Sequence, residues 1–521
     1  MSQGGAPGGR YNAAVDLLER NMSDRAGKVA FIDAEGSYTF GDVADRSVRA
    51  GAALLDLGLA PGDRIALVLQ DGIDFVCSFL GAIRVGVVPI PLNTLFPAQD
   101  YVYVLADSGA RAAIVSEPFL PVVSEAIAAS GWAGDVVVSG AGGTLRARLE
   151  AASPDAPAHP SRADDVAFWL YSSGSTGRPK GAQHLHGSLA ATAELFGQQV
   201  LGLREDDVVF SAAKLFFAYG LGNSLTHPMY AGATVVLCPS RVTPEVAFEV
   251  LGRHGVTLFC GVPTLYSALL SPQHRGSLAA PRLRLCLSAG EALPAEIGKA
   301  WSQATGAEIV DGIGSTEMLH IFLSNRPGQV RYGTTGLPVP GYDVRLVDEN
   351  GRDAGPGEIG ELYVRGPSLT TGYWNQPEKT RSTFVDGWMR SGDKFELDAD
   401  GYFMHRGRAD DMLKVSGIWV SPVEVEAALV AHEAVLEAAV IGVEDGAGLV
   451  KTKAFVVLAP GATGNQAMAD ALKQFIKSRL APYKYPRAIE FVEALPKTAT
   501  GKIRRHVLRE QEAALGEAPV G

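Results

Sequence analysis

The stretch Tyr171-Ser172-Ser173-Gly174-Ser175-Thr176-Gly177-Arg178-Pro179-Lys180-Gly181 constrains this chain more than any other. It follows a strand-like apolar run, Val166-Ala167-Phe168-Trp169-Leu170, and concentrates hydroxyls, glycines and two cations in one turn. Glycines, lacking a Cβ, let backbone N–H groups converge on an anion, and Ser or Thr hydroxyls add donors. Arg178 and Lys180 supply charge, so the parts of a polyphosphate cradle are present. The loop is not a Walker A motif. Gly181 stands after Lys180 where a Mg²⁺-binding Ser or Thr is required, and Pro179 interrupts the helix start.

A length of 521 residues exceeds what one core supports and predicts two or more domains. Apolar residues at 47% and charged residues at 20% are ordinary for a soluble globular protein. The net charge of −11 argues against a general nucleic-acid or anionic-membrane binder. A phosphate ligand must therefore be held by local cations and amides. Cys77, Cys238, Cys260 and Cys286 are scattered in apolar surroundings without CxxC or metal-ligand spacing, as expected of buried thiols in a reducing cytosol. Residues Met1 to Arg10 are Gly-rich without an apolar signal core, and no apolar run reaches transmembrane length, so a cytoplasmic location is expected.

Strands and helices alternate through the first half. Val29–Ile32, Ile65–Leu69 and Val87–Leu92 read as strands, with helices over Phe40–Leu57 and Phe75–Val85; Gly58 fits the residue just past a helix end. Such alternation favours stacked α/β layers. The Gly-, Ala- and Pro-rich span from Asp135 to Asp165 reads as a surface connection. Buried strands are expected at Ala233–Cys238, Thr257–Cys260 and Leu283–Leu287, and a strand-rich subdomain beyond Gly341. Ser421-Pro422-Val423-Glu424 has an N-cap Ser, Pro at the first helical position and Glu three residues after the cap. It opens a helix to Val430 in a compact α+β unit where Met468, Leu472, Phe475, Ile476 and Leu480 recur at helical spacing. The expected division is 1–409 and 410–521, an α/β N-terminal domain of stacked layers plus a β subdomain, then a small mobile α+β domain.

Downstream of the loop, Ser288-Ala289-Gly290-Glu291-Ala292, Asp311-Gly312-Ile313-Gly314-Ser315-Thr316-Glu317, Ser391-Gly392-Asp393, Gly407-Arg408-Ala409-Asp410-Asp411 and Pro496-Lys497-Thr498-Ala499-Thr500-Gly501-Lys502 follow in order. This series resembles the adenylate-forming superfamily of acyl-CoA synthetases, peptide-synthetase adenylation domains and luciferases over nearly the whole chain. The resemblance implies that ATP, Mg²⁺ and coenzyme A are used. It assigns Ser172, Ser173, Gly174, Ser175, Thr176, Gly177 and Lys180 to the loop around the β/γ-phosphates. Gly290, Glu291 and Ala292 would lie along the adenine, with Asp311, Gly312 and Ile313 as the other wall. Many relatives have an aromatic where Ile313 stands, so stacking here would be aliphatic. Thr316 fits an α-phosphate contact and Glu317 a Mg²⁺ contact, since a carboxylate beside phosphates needs a bridging hard cation. Asp393 matches the ribose-binding carboxylate and Arg408 the arginine near it. Lys502, not Lys497, matches the catalytic lysine, a flexible point charge able to swing into a site. His184 and His186 have no evident third ligand and read as structural, as does His405.

The acid pocket divides the superfamily. Relatives that activate amino acids carry an Asp where this chain has Ala218, so an α-ammonium would be left unpaired. Phe217, Ala218, Tyr219, Gly314, His320 and Ile321 instead make a short, mostly apolar slot, with His320 near its rim. With Met318-Leu319-His320-Ile321-Phe322 after Glu317, this resembles the benzoate-CoA ligases. The resemblance implies an aryl-CoA ligase working through an acyl-adenylate. Alternatives are a hydroxy- or aminobenzoate ligase, a domain loading a carrier protein, a luciferase-like oxidoreductase and a non-catalytic nucleotide-binding regulator. The small domain would turn about Asp410, exchanging Lys502 for a face at Ser416, Gly417 and Trp419 that lines the CoA tunnel. Lys502 would also suit a lysine acetyltransferase and deacetylase pair. Neither nucleic acid nor membrane is expected as a partner, and the assembly is a monomer or homodimer.

Overall fold

The computed structural model describes residues 9–172, 178–271, 274, 280–409, 411–415, 418–444, 450–481, 484–497 and 503–516. A nine-stranded sheet forms the main layer. Its middle is parallel, running through Val29–Ile32, Thr234–Val236, Val208–Ser211, Leu258–Gly261, Leu285–Ser288 and Glu308–Gly314. The short strands are nearly continuous Val, Leu, Ile, Phe and Cys, as parallel strands covered on both faces require. Ile321–Ser324 and Leu337–Pro338 add on antiparallel at one edge. A parallel four-stranded sheet, ordered Val88–Pro91, Arg64–Val68, Ala112–Ser116, Asp135–Ser139, makes the second layer.

The helices over Phe40–Asp56 and Ile73–Arg84 lie within two residues of expectation. Thr39 and Asp42 close a reciprocal capping box at the first, and Gly58 just beyond its end has φ 78°. The span from Asp135 is not one connection: it contains the strand Asp135–Ser139 and the helix Leu145–Ala151. Val136, Val137 and Val138 suit the sheet edge, while Leu145 and Leu149, one turn apart, bury one helix face. Glycine-rich flanks had masked both.

Beyond Gly341 the strands Asp343–Val347, Ile359–Arg365, Phe384–Val385, Trp388–Leu397 and Phe403–Arg408 form an antiparallel five-stranded sheet. The last unit packs Pro422–Val430, Gln466–Lys477 and Arg505–Gly516 with a sheet of Val435–Glu444, Val450–Leu458 and Ala488–Phe491. Ser421 caps as expected, accepting the Glu424 amide at 3.1 Å. The Glu424 carboxylate does not return to the cap; it accepts two bonds from Lys484 Nζ, at 2.7 and 2.8 Å, because a cation is the stronger partner. All four cysteines are free and buried. No helix among the described residues is long and apolar enough to cross a membrane.

Candidate active site

The phosphate-loop segment joins two strands, not a strand and a helix. Val166–Ser172 pairs antiparallel with Lys180–Leu185, with Ser172 opposite Lys180. Lys180 therefore begins a strand, and this segment does not itself supply a helix N-terminus for an anion. Ser173, Gly174, Ser175, Thr176 and Gly177 lie outside the described residues. Ser172 Oγ is buried with no hydrogen-bond partner among the described residues, a donor left over for a ligand.

Lys180 Nζ sits 4.7 Å from the centre of the Tyr373 ring, and Tyr373 donates its hydroxyl proton to Glu317 Oε1 at 2.7 Å. Burial lowers the Lys180 pKa, with the Glu317 charge opposing. The segment around Tyr373 is laced to both partners: Thr370 N–H donates to the Glu317 carbonyl at 2.9 Å and its hydroxyl to the Gln183 carbonyl at 2.6 Å. Tyr373 and Thr370 were missed in the sequence. Thr370-Thr371-Gly372-Tyr373 shows only turn chemistry, and nothing in its spacing points across to Glu317.

The carboxyl ends of two adjacent parallel strands form the next part, as open α/β sheets place ligands. Leu285–Ser288 leads into Gly290, which has φ 98°, then Glu291 and Ala292. Glu308–Gly314 carries Asp311, in register with Ser288. Asp311 is 5% exposed, burial pushes its carboxyl up to about 8, and its Oδ1 has no hydrogen-bond partner among the described residues. Gly312 and Ile313 continue the strand and pair with Ser324 and Leu323. A Cβ on Gly314 would lie 2.5 Å from the His320 carbonyl oxygen, so only glycine permits the return strand there. Leu319, at φ 63°, closes the tight turn that carries Thr316 and Glu317 between these strands.

Asp393 and Arg408 are cross-strand partners, with Arg408 Nη1 3.1 Å from Asp393 Oδ2 and 3.0 Å from the Ser391 carbonyl. His405 Nε2 lies 3.4 Å from the other Asp393 oxygen, so His405 supports the carboxylate expected to meet a ribose. His186 Nδ1 accepts the Ala13 amide at 3.1 Å, and His184 stacks on Phe168 at 5.0 Å. His186 is thus tied to the backbone, while both ring nitrogens of buried His184 have no hydrogen-bond partner among the described residues.

Among the residues expected to line an acid slot, Tyr219 stands on the short helix Ala218–Leu221, its hydroxyl 3.1 Å from the Gly261 carbonyl and 3.2 Å from that of Leu287. Its ring stacks on His320 at 5.8 Å. Phe217, half-buried, packs on Phe216 with ring centres 4.4 Å apart, and Ala218 is half-buried beside it. Ile321 is 1% exposed, and its Cγ2 would meet a Cβ on Gly312 at 2.9 Å. His320 is not at a rim. It is 3% exposed, enclosed by Tyr219, Phe196 and His227, because Gly222 beside it leaves room for the ring.

Lys502, Asp410, Ser416 and Gly417 lie outside the described residues; Trp419 is placed by its backbone, opposite Lys414 in a two-stranded ribbon. Their neighbours are informative. Ile503 N–H donates to Glu291 Oε1 at 3.0 Å, bringing the segment next to Lys502 onto the expected adenine wall. Ala409 N–H donates to the Gly392 carbonyl at 2.8 Å. Asp411, on the other side of residue 410, is held by Arg509 at 2.8 Å and Arg505 at 3.7 Å, and Arg505 also pairs with Glu426 at 2.6 Å.

The described residues thus bring together a cation-bearing hairpin, the Glu317–Tyr373 pair, two adjacent strand ends and the Asp393–Arg408 pair. The chain belongs to the AMP-binding enzyme family, which matches residues 18–374, with the family's C-terminal domain at 424–502. It is 55% identical to the benzoate–CoA ligase of Thauera aromatica over 96% of both chains. Identity to the 4-hydroxybenzoate–CoA/benzoate–CoA ligase of Rhodopseudomonas palustris is 50%, over 96% of this chain and 94% of that one. The crystal structure of a benzoate CoA ligase from Burkholderia xenovorans superposes with a TM-score of 0.90 at 51% identity, covering 96% of this chain and all (100%) of that one.

Proposed function

We propose that this protein joins benzoate to coenzyme A at the expense of ATP, releasing AMP and pyrophosphate through a benzoyl-adenylate. What supports the reading is the 55% identity to a benzoate–CoA ligase over 96% of both chains, together with Ala218, which would leave an amino acid's ammonium without a carboxylate.

In the first half-reaction, a benzoate oxygen attacks the α-phosphorus of ATP and the bond to pyrophosphate breaks. Two anions meet, so charges aimed at the phosphoryl oxygens lower the barrier. Lys180 and the loop hydroxyls hold the β/γ-phosphates, Thr316 contacts the α-phosphate, and Asp393 accepts the ribose hydroxyls while Arg408 orients it. Asp311, Gly312 and Ile313 face Gly290, Glu291 and Ala292 across the adenine. Glu317, oriented by Tyr373, is the residue to hold Mg²⁺, which when bound offsets triphosphate charge. Lys502 adds a cation to the attack. In the second half-reaction the CoA thiol attacks the benzoyl carbonyl and AMP leaves. The 410–521 unit turns about Asp410 between the two, withdrawing Lys502 and presenting Ser416, Gly417 and Trp419 to the pantetheine arm. Acetylation of Lys502 by a lysine acetyltransferase would remove the charge used in the first step.

AMP release measured with benzoic, hydroxybenzoic, aminobenzoic and hexanoic acids and phenylalanine, with and without CoA, tests the reading. Benzoate is expected to lead, with benzoyl-CoA formed when CoA is present. Preference for hexanoate or phenylalanine would overturn the aryl assignment. Benzoyl-adenylate that CoA fails to discharge would point to a carrier protein as acceptor.

A further inference from the structure

A second cavity, of about 420 Å³, lies against the hairpin Val166–Ser172/Lys180–Leu185. Val166 and His186 line it, whereas the phosphate loop joins the other ends of these strands. Six residue steps along a strand put the two roughly 20 Å apart. The volume is that of a small-molecule site, typically about 300–1,000 Å³. Nothing in the proposed acid activation uses it.

Its walls set an aromatic face beside hydrogen-bond donors and two charges. The half-buried Trp374 ring is backed by Trp169 at 4.7 Å, and the Arg64 guanidinium lies 5.8 Å from the Trp374 ring centre. Arg64 donates to the carbonyls of Ser108, Gly62 and Gly109, which leaves N–H groups over, and it forms no ion pair among the described residues. His186 is 2% exposed, and its Nδ1 accepts the Ala13 amide, so the ring proton sits on Nε2. That Nε2–H has no partner among the described residues, and burial keeps the ring neutral by lowering its pKa to about 4. A buried donor left unmet is costly. Exposed Asp165 completes the rim, its Oδ2 accepting the Arg162 amide at 2.8 Å, again with no ion pair among the described residues.

The cavity is also tied to Glu317. Trp374 directly follows Tyr373, whose hydroxyl holds the Glu317 carboxylate, and its own N–H donates to the Gly181 carbonyl at 2.8 Å. Gln183, on the same wall, donates its amide to the Gly372 carbonyl at 3.2 Å.

We infer that this cavity is an effector site for a small aromatic acid that also carries an amine, the chemistry of an aromatic amino acid, and that its occupancy is felt at Glu317 through Trp374 and Tyr373. The ring lies on Trp374, the carboxylate takes the His186 Nε2–H and the free N–H groups of Arg64, and the ammonium meets Asp165. Such a ligand does not compete for the aryl slot, where Ala218 leaves an ammonium unpaired.

The test is calorimetric titration of the full-length protein, with saturating benzoate present, using tryptophan, tyrosine, phenylalanine, tryptamine and indole-3-propionate. At least one amino acid is expected to bind one-to-one with a Kd on the order of 1 mM or tighter. Tryptamine, which lacks the acid, binds about tenfold more weakly than tryptophan. Asp165→Asn weakens the amino acid about fivefold, the upper end for an exposed ion pair, and leaves indole-3-propionate, which lacks the amine, unchanged. The bound amino acid shifts the Mg²⁺ concentration for half-maximal AMP release by about fivefold or more. Should Asp165→Asn fail to fold, indole-3-propionate against tryptophan on wild type reads the same charge. Binding by none of the amino acids, equal binding of tryptamine, an Asp165→Asn affinity equal to wild type, or an unmoved Mg²⁺ requirement overturns the inference and leaves the proposed function standing. The calorimetric readings stand whichever acid the enzyme activates, so failure of the proposed function shows separately, as absence of benzoate-dependent AMP release.

Discussion

The backbone N–H of Ile503 donates to Glu291 Oε1 at 3.0 Å, a bond between residues 212 apart in the chain. Burial raises the Glu291 pKa, and the Ile503 amide opposes this by stabilising the carboxylate. One carboxylate thus belongs to the expected adenine wall and also anchors the segment next to Lys502. In the proposed first half-reaction, this contact would keep Lys502 near the nucleotide.

Lys502→Ala is therefore expected to lose adenylation by about 10²–10³-fold, the usual cost of removing one electrostatic stabiliser. Conversion of supplied benzoyl-adenylate and CoA to thioester should persist. The two half-reactions assayed separately decide it; equal loss in both sinks the role.

Tyr373→Phe removes the hydroxyl that orients Glu317 and leaves the ring beneath Lys180 in place. A hydrogen bond to a charged group contributes about 1.5–3 kcal/mol, so adenylation should slow by roughly tenfold or more. The Mg²⁺ concentration for half-maximal rate should rise with it. A titration of rate against Mg²⁺ that overlays wild type would show that Tyr373 does not act through Glu317.

Asp311 makes stability depend on pH. Burial raises its carboxyl from the ordinary 3.8 to about 8, so the folded chain binds a proton that the unfolded chain releases across that interval. Its contribution is fully present below the unfolded pKa and is lost as pH rises through the folded one. Asp311→Asn, which cannot ionise, should show a Tm that declines less between pH 5 and 8 than that of wild type. Parallel profiles would mean that Asp311 is not protonated in the fold.

Asp410→Pro is expected to spare adenylation and abolish thioester formation, because proline fixes the φ that a turn about this residue must change. Benzoyl-adenylate should accumulate when CoA is supplied. A CoA-dependent rate near that of wild type would move the pivot elsewhere.

The loop between Ser172 and Lys180 could be read from its own residue types as a cradle for phosphate, whereas roles for the run Asp311 to Glu317 and for Asp393 with Arg408 came only from resemblance to a family; the structure adds that Asp393 and Arg408 are cross-strand partners. The strands Val29–Ile32 and Asp343–Val347 were read to the residue, since apolar runs bounded by turns leave little choice. What escaped depends on contacts between distant segments. Tyr373 acquires its role from Glu317, 56 residues away. His320, expected near a rim, is enclosed by a histidine and a phenylalanine whose own positions follow from two π-turns, Ala193–Gln198 and Gly222–Thr226. The strand and helix after Asp135 were hidden by glycines that belong to the turns between them.

The hydrogen bond at Ala409 and the ion pairs at Asp411 carry a consequence for reach. Ala409 is tied to Gly392 in the β subdomain, and Asp411 to Arg505 and Arg509 on the last helix. Only residue 410 separates these anchors. The amides of Asp411 and Met412 also bond the Arg408 carbonyl, so a turn here gives up two backbone hydrogen bonds. In the proposed turn about residue 410, a tether this short would keep the small domain from diffusing, and torsion angles in place of random encounter would set the effective concentration of Lys502 at the nucleotide. Two glycines inserted after Ala409 would convert that pivot into a leash, and the lysine would have to find its substrate by search.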